Sequence, residues 1–179
     1  MAADLNLLVP EFRDKVLELL DKCLERGIEM RPNEGIRDPF KQGIYWRQSR
    51  TKEQVYKEIN RLKDQGADFL AYCIESVGPR SGRHVTNTIP GVSWHQWGEA
   101  LDCFWVLDGK AEWSLKKTVG GLNGYMVYAS EAKKLGLDAG LYWTFVDGPH
   151  VQLRSVSNAS HVYSIQRINN EMQIRFGES

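Results

Sequence analysis

The sequence predicts an α+β fold, with a small central antiparallel sheet and flanking helices. Three observations carry that expectation. Apolar residues recur at helical spacing in several separate runs. The segment 101–107 instead alternates like a strand and is followed by Asp108-Gly109, a favoured hairpin turn. Between these kinds of pattern, 78–91 is rich in Gly, Pro, Ser and Asn and reads as a long loop.

Phe12, Val16, Leu19, Leu20, Cys23 and Leu24 share one helical face, with Pro10 ahead of them and Gly27 as the stop. Residues 28–30 read as a short strand leading to Gly35-Ile36-Arg37. Thr51 and Gln54 form a capping-box pattern that opens a helix with Val55, Ile59 and Leu62 inward. Gly66 breaks that pattern, and Phe69, Leu70, Cys73 and Ile74 begin another helix. His95 is expected to enter a central strand holding Asp102, and 111–115 to complete the hairpin. A helix over 125–135 ends at Gly136, and a last strand covers 151–154. Val162, Ile165, Ile168, Met172 and Phe176 predict a closing helix at about 157–179.

The 179 residues suit one domain with a real core and are short for two full domains. The expectation is therefore a single domain over 1–179, with no internal repeat and no separate module. Basic and acidic residues balance at 23 each, which argues against nucleic acid or an anionic membrane as partner. Cys23, Cys73 and Cys103 show no paired spacing, lie in apolar runs, and are expected to be buried free thiols. No apolar run is long enough to span a bilayer. The N-terminus lacks the basic region and apolar stretch of a signal peptide, so none is expected. Nothing suggests a coiled coil, and a monomer is expected.

The chemistry concentrates in two runs. In 93–102, His95 and Asp102 stand in a His-x6-Asp spacing. Strand alternation puts Asp102 on one face with Ala100, Phe104 and Val106, and turns Cys103 to the other. A carboxylate among such neighbours is costly to bury unless a cation compensates it. In 146–153, Asp147 and His150 open another apolar segment. Two His and one Asp make a set for catalytic zinc, three protein ligands with a fourth position open. Taken singly, each has an ordinary reading as a surface or hydrogen-bonded residue, and spacing alone is a weak signal. His84 and His161, the other two of four histidines, have no acid in a comparable setting.

Together the runs resemble the zinc peptidases of the VanY and D-alanyl-D-alanine carboxypeptidase type. Within that type they look most like the L-alanyl-D-glutamate endopeptidases found as phage endolysins and bacterial wall hydrolases. Ser93, His95, Gly98 and Asp102 match every fixed position of that family's Ser-x-His-x-x-Gly-x-x-x-Asp motif. Asp147, Pro149, His150 and Gln152 match its Asp-x-Pro-His followed by Gln. Thr86-Asn87, Pro90-Gly91, Gly35-Ile36-Arg37 and Gln42 are similar to upstream family segments, and the resemblance runs from about residue 7 to 154.

The resemblance implies the Hedgehog/DD-peptidase-like zinc domain and one Zn²⁺ per chain on His95, Asp102 and His150. It implies that Asp147 acts as general base and that Arg37 steadies a substrate carbonyl or carboxylate. Gln42, Ser93, Trp94 and Trp143 are weaker candidates for substrate contact. The roles are chemically apt, since Pro149 has a fixed φ that can hold Asp147 beside His150, and Arg stays charged with a fork of donors. Local alternatives stand beside them: Arg37 could pair with Asp38, Asp147 could be a turn residue, and Tyr142, Trp143, Trp94 and Trp97 could be core. Glu99 replaces the family's usual apolar residue.

The implied partner is bacterial peptidoglycan, cut between L-alanine and D-glutamate. The alternatives are a D-alanyl-D-alanine carboxypeptidase or dipeptidase, and a non-catalytic zinc-bearing domain of the same fold. Relatives of the carboxypeptidase kind often carry Glu-x-x-His where this chain has Asp147-Gly148-Pro149-His150. By analogy with phage endolysins, the chain would stay in the host cytoplasm until a membrane pore released it to the wall.

Overall fold

A computed structural model describes residues 3–177, which form an α+β architecture with an all-antiparallel sheet. The described chain packs as two compact units: one of residues up to 36 plus 97–155, the other of 37–96 plus the segment from 156.

The first unit holds helix α1 (Pro10–Glu25), strands β1 (Met30–Glu34), β2 (Ala100–Leu107) and β3 (Lys110–Glu112). Helix α5 (Gly124–Lys134) and strands β4 (Asp138–Ala139) and β5 (His150–Gln152) complete it. Strand β2 is the spine. Asp102 faces Glu34 of β1 on one edge and His150 of β5 on the other. Trp105 likewise pairs with Met30 and with Glu112, so β3 and β5 share the edge opposite β1. β4 then adds beyond β5.

Alternation along β2 sorts its side chains as expected. Leu101, Cys103 and Trp105 are buried against Phe12, Val16 and Leu19 of α1 and Tyr125 and Tyr128 of α5. Asp102, Phe104 and Val106 take the other, half-exposed face. Burying a large apolar side chain stabilises the fold by about 1.5–3 kcal/mol each, so this face fixes the register of β2 and hence the position of Asp102.

The second unit is helical: α2 (Pro39–Arg47), α3 (Lys52–Asp64), α4 (Asp68–Glu75) and α6 (Ile165–Phe176). The Thr51–Gln54 capping box forms in full at the start of α3. Helix α4 has no side-chain cap of its own. Asn169 of α6 supplies one instead, its Oδ1 accepting from the backbone N–H of Phe69 at 2.9 Å and Leu70 at 3.2 Å. At Gly91 (φ +82°) a Cβ would lie 2.7 Å from Ile168 and 2.9 Å from Leu70, so only glycine fits against those helices.

Several elements differ from the sequence expectations. His95 does not enter a strand; it sits in a 3-10 turn, Trp94–Trp97, ahead of β2. Gly98 (φ +71°) reverses the chain between the two. Helix α2 is additional: Asp38 accepts a 2.6 Å bond from Phe40 N–H and Pro39 takes the first turn, a start signal in a weakly amphipathic segment. The first strand runs 30–34 instead of 28–30, and β3, the hairpin partner of β2, covers Lys110–Glu112 instead of 111–115. The tail starts its helix only at Ile165, where Ser164 caps it, after a 3-10 turn Ala159–His161 capped by Asn158. Residues 178–179 of the expected closing helix, and Met1-Ala2 of the N-terminal segment read for a leader, lie outside the described residues. Among the described residues no helix is long and apolar enough to cross a membrane.

Candidate metal centre

The β2–β5 register makes Asp102 and His150 direct cross-strand partners. Their side chains meet, with His150 Nδ1 2.9 Å from Asp102 Oδ1. The other ring nitrogen is also committed, with Nε2 3.2 Å from Gln152 Oε1. Gln152 in turn donates its amide Nε2 to the Arg154 carbonyl, which turns its oxygen toward the histidine. An amide oxygen and a carboxylate oxygen both only accept, so the two contacts together suit a doubly protonated ring, with Nε2–H on Gln152 and Nδ1–H on Asp102. Trp143 backs this arrangement. Its ring lies 5.0 Å from that of His150 at 48°, and its indole N–H donates to Asp138 Oδ2 at 3.0 Å.

His95 is held by its own turn. Ser93 Oγ accepts from the His95 N–H at 3.4 Å, while Ser93 N–H donates to Gln96 Oε1 at 3.2 Å. The His95 carbonyl receives the Arg37 N–H at 3.2 Å. The half-buried Arg37 guanidinium donates to Gln42 Oε1 at 3.0 Å, and Gln42 donates to the Thr88 carbonyl at 2.7 Å. Gln42 is 1% exposed, so it holds Arg37 from behind. Trp94 is equally buried and donates to the Val156 carbonyl at 2.8 Å.

One donor atom from each of His95, Asp102 and His150 lies within 4.8 Å of the others. Each residue offers one ligand atom, so the group could hold a metal ion. Both histidines are buried and Asp102 is half-buried. Two imidazoles and a carboxylate suit zinc among the common metals. With no ion bound, His150 has its pKa raised: burial pulls it down, but the bond to Asp102 and the charges of Asp102 and Asp147 outweigh that. The site thus favours a positive charge facing Asp102.

Asp147 is exposed, and its backbone is fixed on both sides. Its N–H donates to the Gly140 carbonyl at 2.9 Å and its carbonyl accepts from the His150 N–H at 3.2 Å. A Cβ on Gly140 would come within 2.4 Å of the Asp147 carbonyl, so glycine permits this close approach.

Two contributors escape sequence reasoning. Gln152 carries a motif match but no role readable from the sequence. Glu99 is 7% exposed and receives two bonds from Arg154, the Nη2 one at 3.1 Å. That pair explains how a carboxylate tolerates this position. It also steadies the end of β5, where Leu153 N–H donates to the Glu99 carbonyl at 2.9 Å. The thiols of Cys23, Cys73 and Cys103 are free and buried, away from any pairing.

No family model matches the chain, and no curated protein matches it. Among solved structures, the crystal structure of Serratia marcescens L-Ala D-Glu endopeptidase ChiX aligns with a TM-score of 0.44 and 17% identity. The alignment covers 84% of this chain and 83% of that one. So distant a likeness assigns no activity to this chain.

Proposed function

We propose that the chain is a zinc-dependent peptidase that cuts peptidoglycan stem peptides at the L-alanyl-D-glutamate bond. The observation that supports this reading most is that His95, Asp102 and His150 form a group that could hold a metal ion, with the charge of Asp147 acting on His150. The two motif runs that resemble the endopeptidase family contain all four residues.

His95, Asp102 and His150 would hold the ion, which would supply Lewis acidity toward the scissile carbonyl and the water. Asp147 takes the proton from the attacking water and passes it to the departing amine, which needs hydrogen-bond reach and a carboxylate that is not itself a ligand. Its exposure leaves it accessible to water. The Arg37 guanidinium, oriented by Gln42, stabilises the oxyanion that develops on the carbonyl. Gln152 keeps His150 in the tautomer that presents Nδ1.

The test is incubation of the purified protein with peptidoglycan, with and without a chelator, followed by mass spectrometry of the new termini. New D-glutamate amino termini that vanish on chelation and return with zinc are expected. Release of D-alanine with intact L-Ala–D-Glu bonds rejects the proposed bond in favour of a carboxypeptidase.

A further inference from the structure

In the helical unit, a cavity of about 250 Å³ is lined by Arg47, Arg50, Lys52 and Arg80, with Tyr56 and Ile59 among its apolar walls. Arg47 and Arg50 are anchored. Arg47 donates to the Ile74 carbonyl at 2.9 Å, and Arg50 to the Thr86 carbonyl at 3.0 Å while its guanidinium stacks 4.2 Å over the Trp46 ring. Lys52 and Arg80 make no hydrogen bond or ion pair among the described residues. None of the four cations is matched by a carboxylate at ion-pair distance among them. The one acid in the lining, Glu75, is paired with Lys63 at 3.1 Å. The Arg47 pKa is lowered by burial and by the charge of Arg80, which Tyr56 and Glu75 offset only in part. A chain of zero formal net charge therefore gathers four cations and one acid around one cleft, with Glu75 and Glu58 offsetting part of the charge.

We propose that this cleft binds a phosphoryl group carried on a ligand whose apolar or aromatic part lies against Tyr56. Positive charge beyond a single unit matches a phosphoryl group, about −1.5 to −2 at neutral pH as a monoester, better than one carboxylate. Arginine forks match its oxygens two at a time, and anchored guanidiniums lose little freedom on binding. Tyr56 is 63% exposed and offers a flat apolar surface at the rim. Its lining includes none of His95, Asp102 and His150, and the proposal does not rest on the peptidase reading.

The test is an amide and arginine-Nε NMR titration of the whole protein with inorganic phosphate, sodium chloride holding ionic strength constant. Saturable shifts at the Gly78 and Arg80 amides and the Arg80 Nε in the millimolar range are expected. Arg80→Gln and Lys52→Gln, both at exposed positions, each weaken binding about five-fold or more, and Asp147→Asn leaves it unchanged. Acetate, as the carboxylate probe, binds at least about five-fold more weakly than phosphate. Shifts that chloride reproduces, or saturation untouched by both variants, overturn the site. Acetate binding as tightly as phosphate overturns the phosphoryl assignment.

Discussion

His150 Nδ1 and Asp102 Oδ1 stand 2.9 Å apart across the β2–β5 ladder, with the Gln152 amide oxygen on the far side of the imidazole. This chain of contacts decides which nitrogen faces the centre. Gln152→Ala removes the acceptor for the Nε2 proton and frees the ring to change tautomer. Metal affinity is expected to fall about 10–100-fold while the circular dichroism spectrum stays the same. Chelator-competition titration measures it, and unchanged affinity would show that Gln152 does not orient the ligand.

Binding of the ion must displace a proton. The metal-free His150 pKa lies above its ordinary 6.5, because Asp102 and Asp147 outweigh burial. A raised folded value means that the protonated form stabilises the metal-free fold. That contribution is complete below the unfolded value and is lost as pH rises through the folded one. Metal affinity therefore rises with pH, with its midpoint above 6.5, and binding below that midpoint releases a proton. Calorimetry in buffers of different ionisation enthalpy reads the released proton. Affinity that is flat across this range argues against His150 as a ligand.

Asp147→Asn preserves shape and the two backbone bonds but removes the proton acceptor. Peptidoglycan cleavage is expected to drop about 10²–10⁴-fold, with one metal ion still bound. If cleavage persists with the ion in place, Asp147 is not the base.

Glu99→Gln replaces a carboxylate that holds Arg154, whose side chain is 42% exposed. That exposure screens the pair, so the loss is expected to be about 1–2 kcal/mol, below the range for a fully buried pair. Urea unfolding monitored by tryptophan fluorescence reads it. A change under about 0.3 kcal/mol would make the pair incidental.

Asn169→Ala strips the cap that α6 lends to α4, leaving two buried N–H groups without their acceptor. A loss of about 1–2 kcal/mol is expected, measured by thermal unfolding. Hydrogen exchange at Phe69 and Leu70 should accelerate in parallel.

Local signals accounted for much of the architecture. The α3 capping box, the β2 alternation and the glycine stop after α5 depend on residues near one another, and each formed as read. The Ser93–His95–Gly98–Asp102 spacing was equally legible, although its geometry is a capped turn, a glycine reversal and then a strand. Helix α2 was missed because its apolar residues have little periodicity, although Asp38-Pro39 marked its start.

What the sequence by itself determined was an α+β chain, the strand face on which Asp102 stands, and the short list of imidazoles and carboxylates suited to a metal. Only the tertiary structure decided that Asp102 faces His150, that Gln152 and Trp143 hold that ring, and that Arg154 compensates Glu99. The physical reason is range. Periodicity and capping arise from backbone geometry over a few residues. Strand register and buried polar pairing arise from packing between segments about fifty residues apart, which no local pattern encodes.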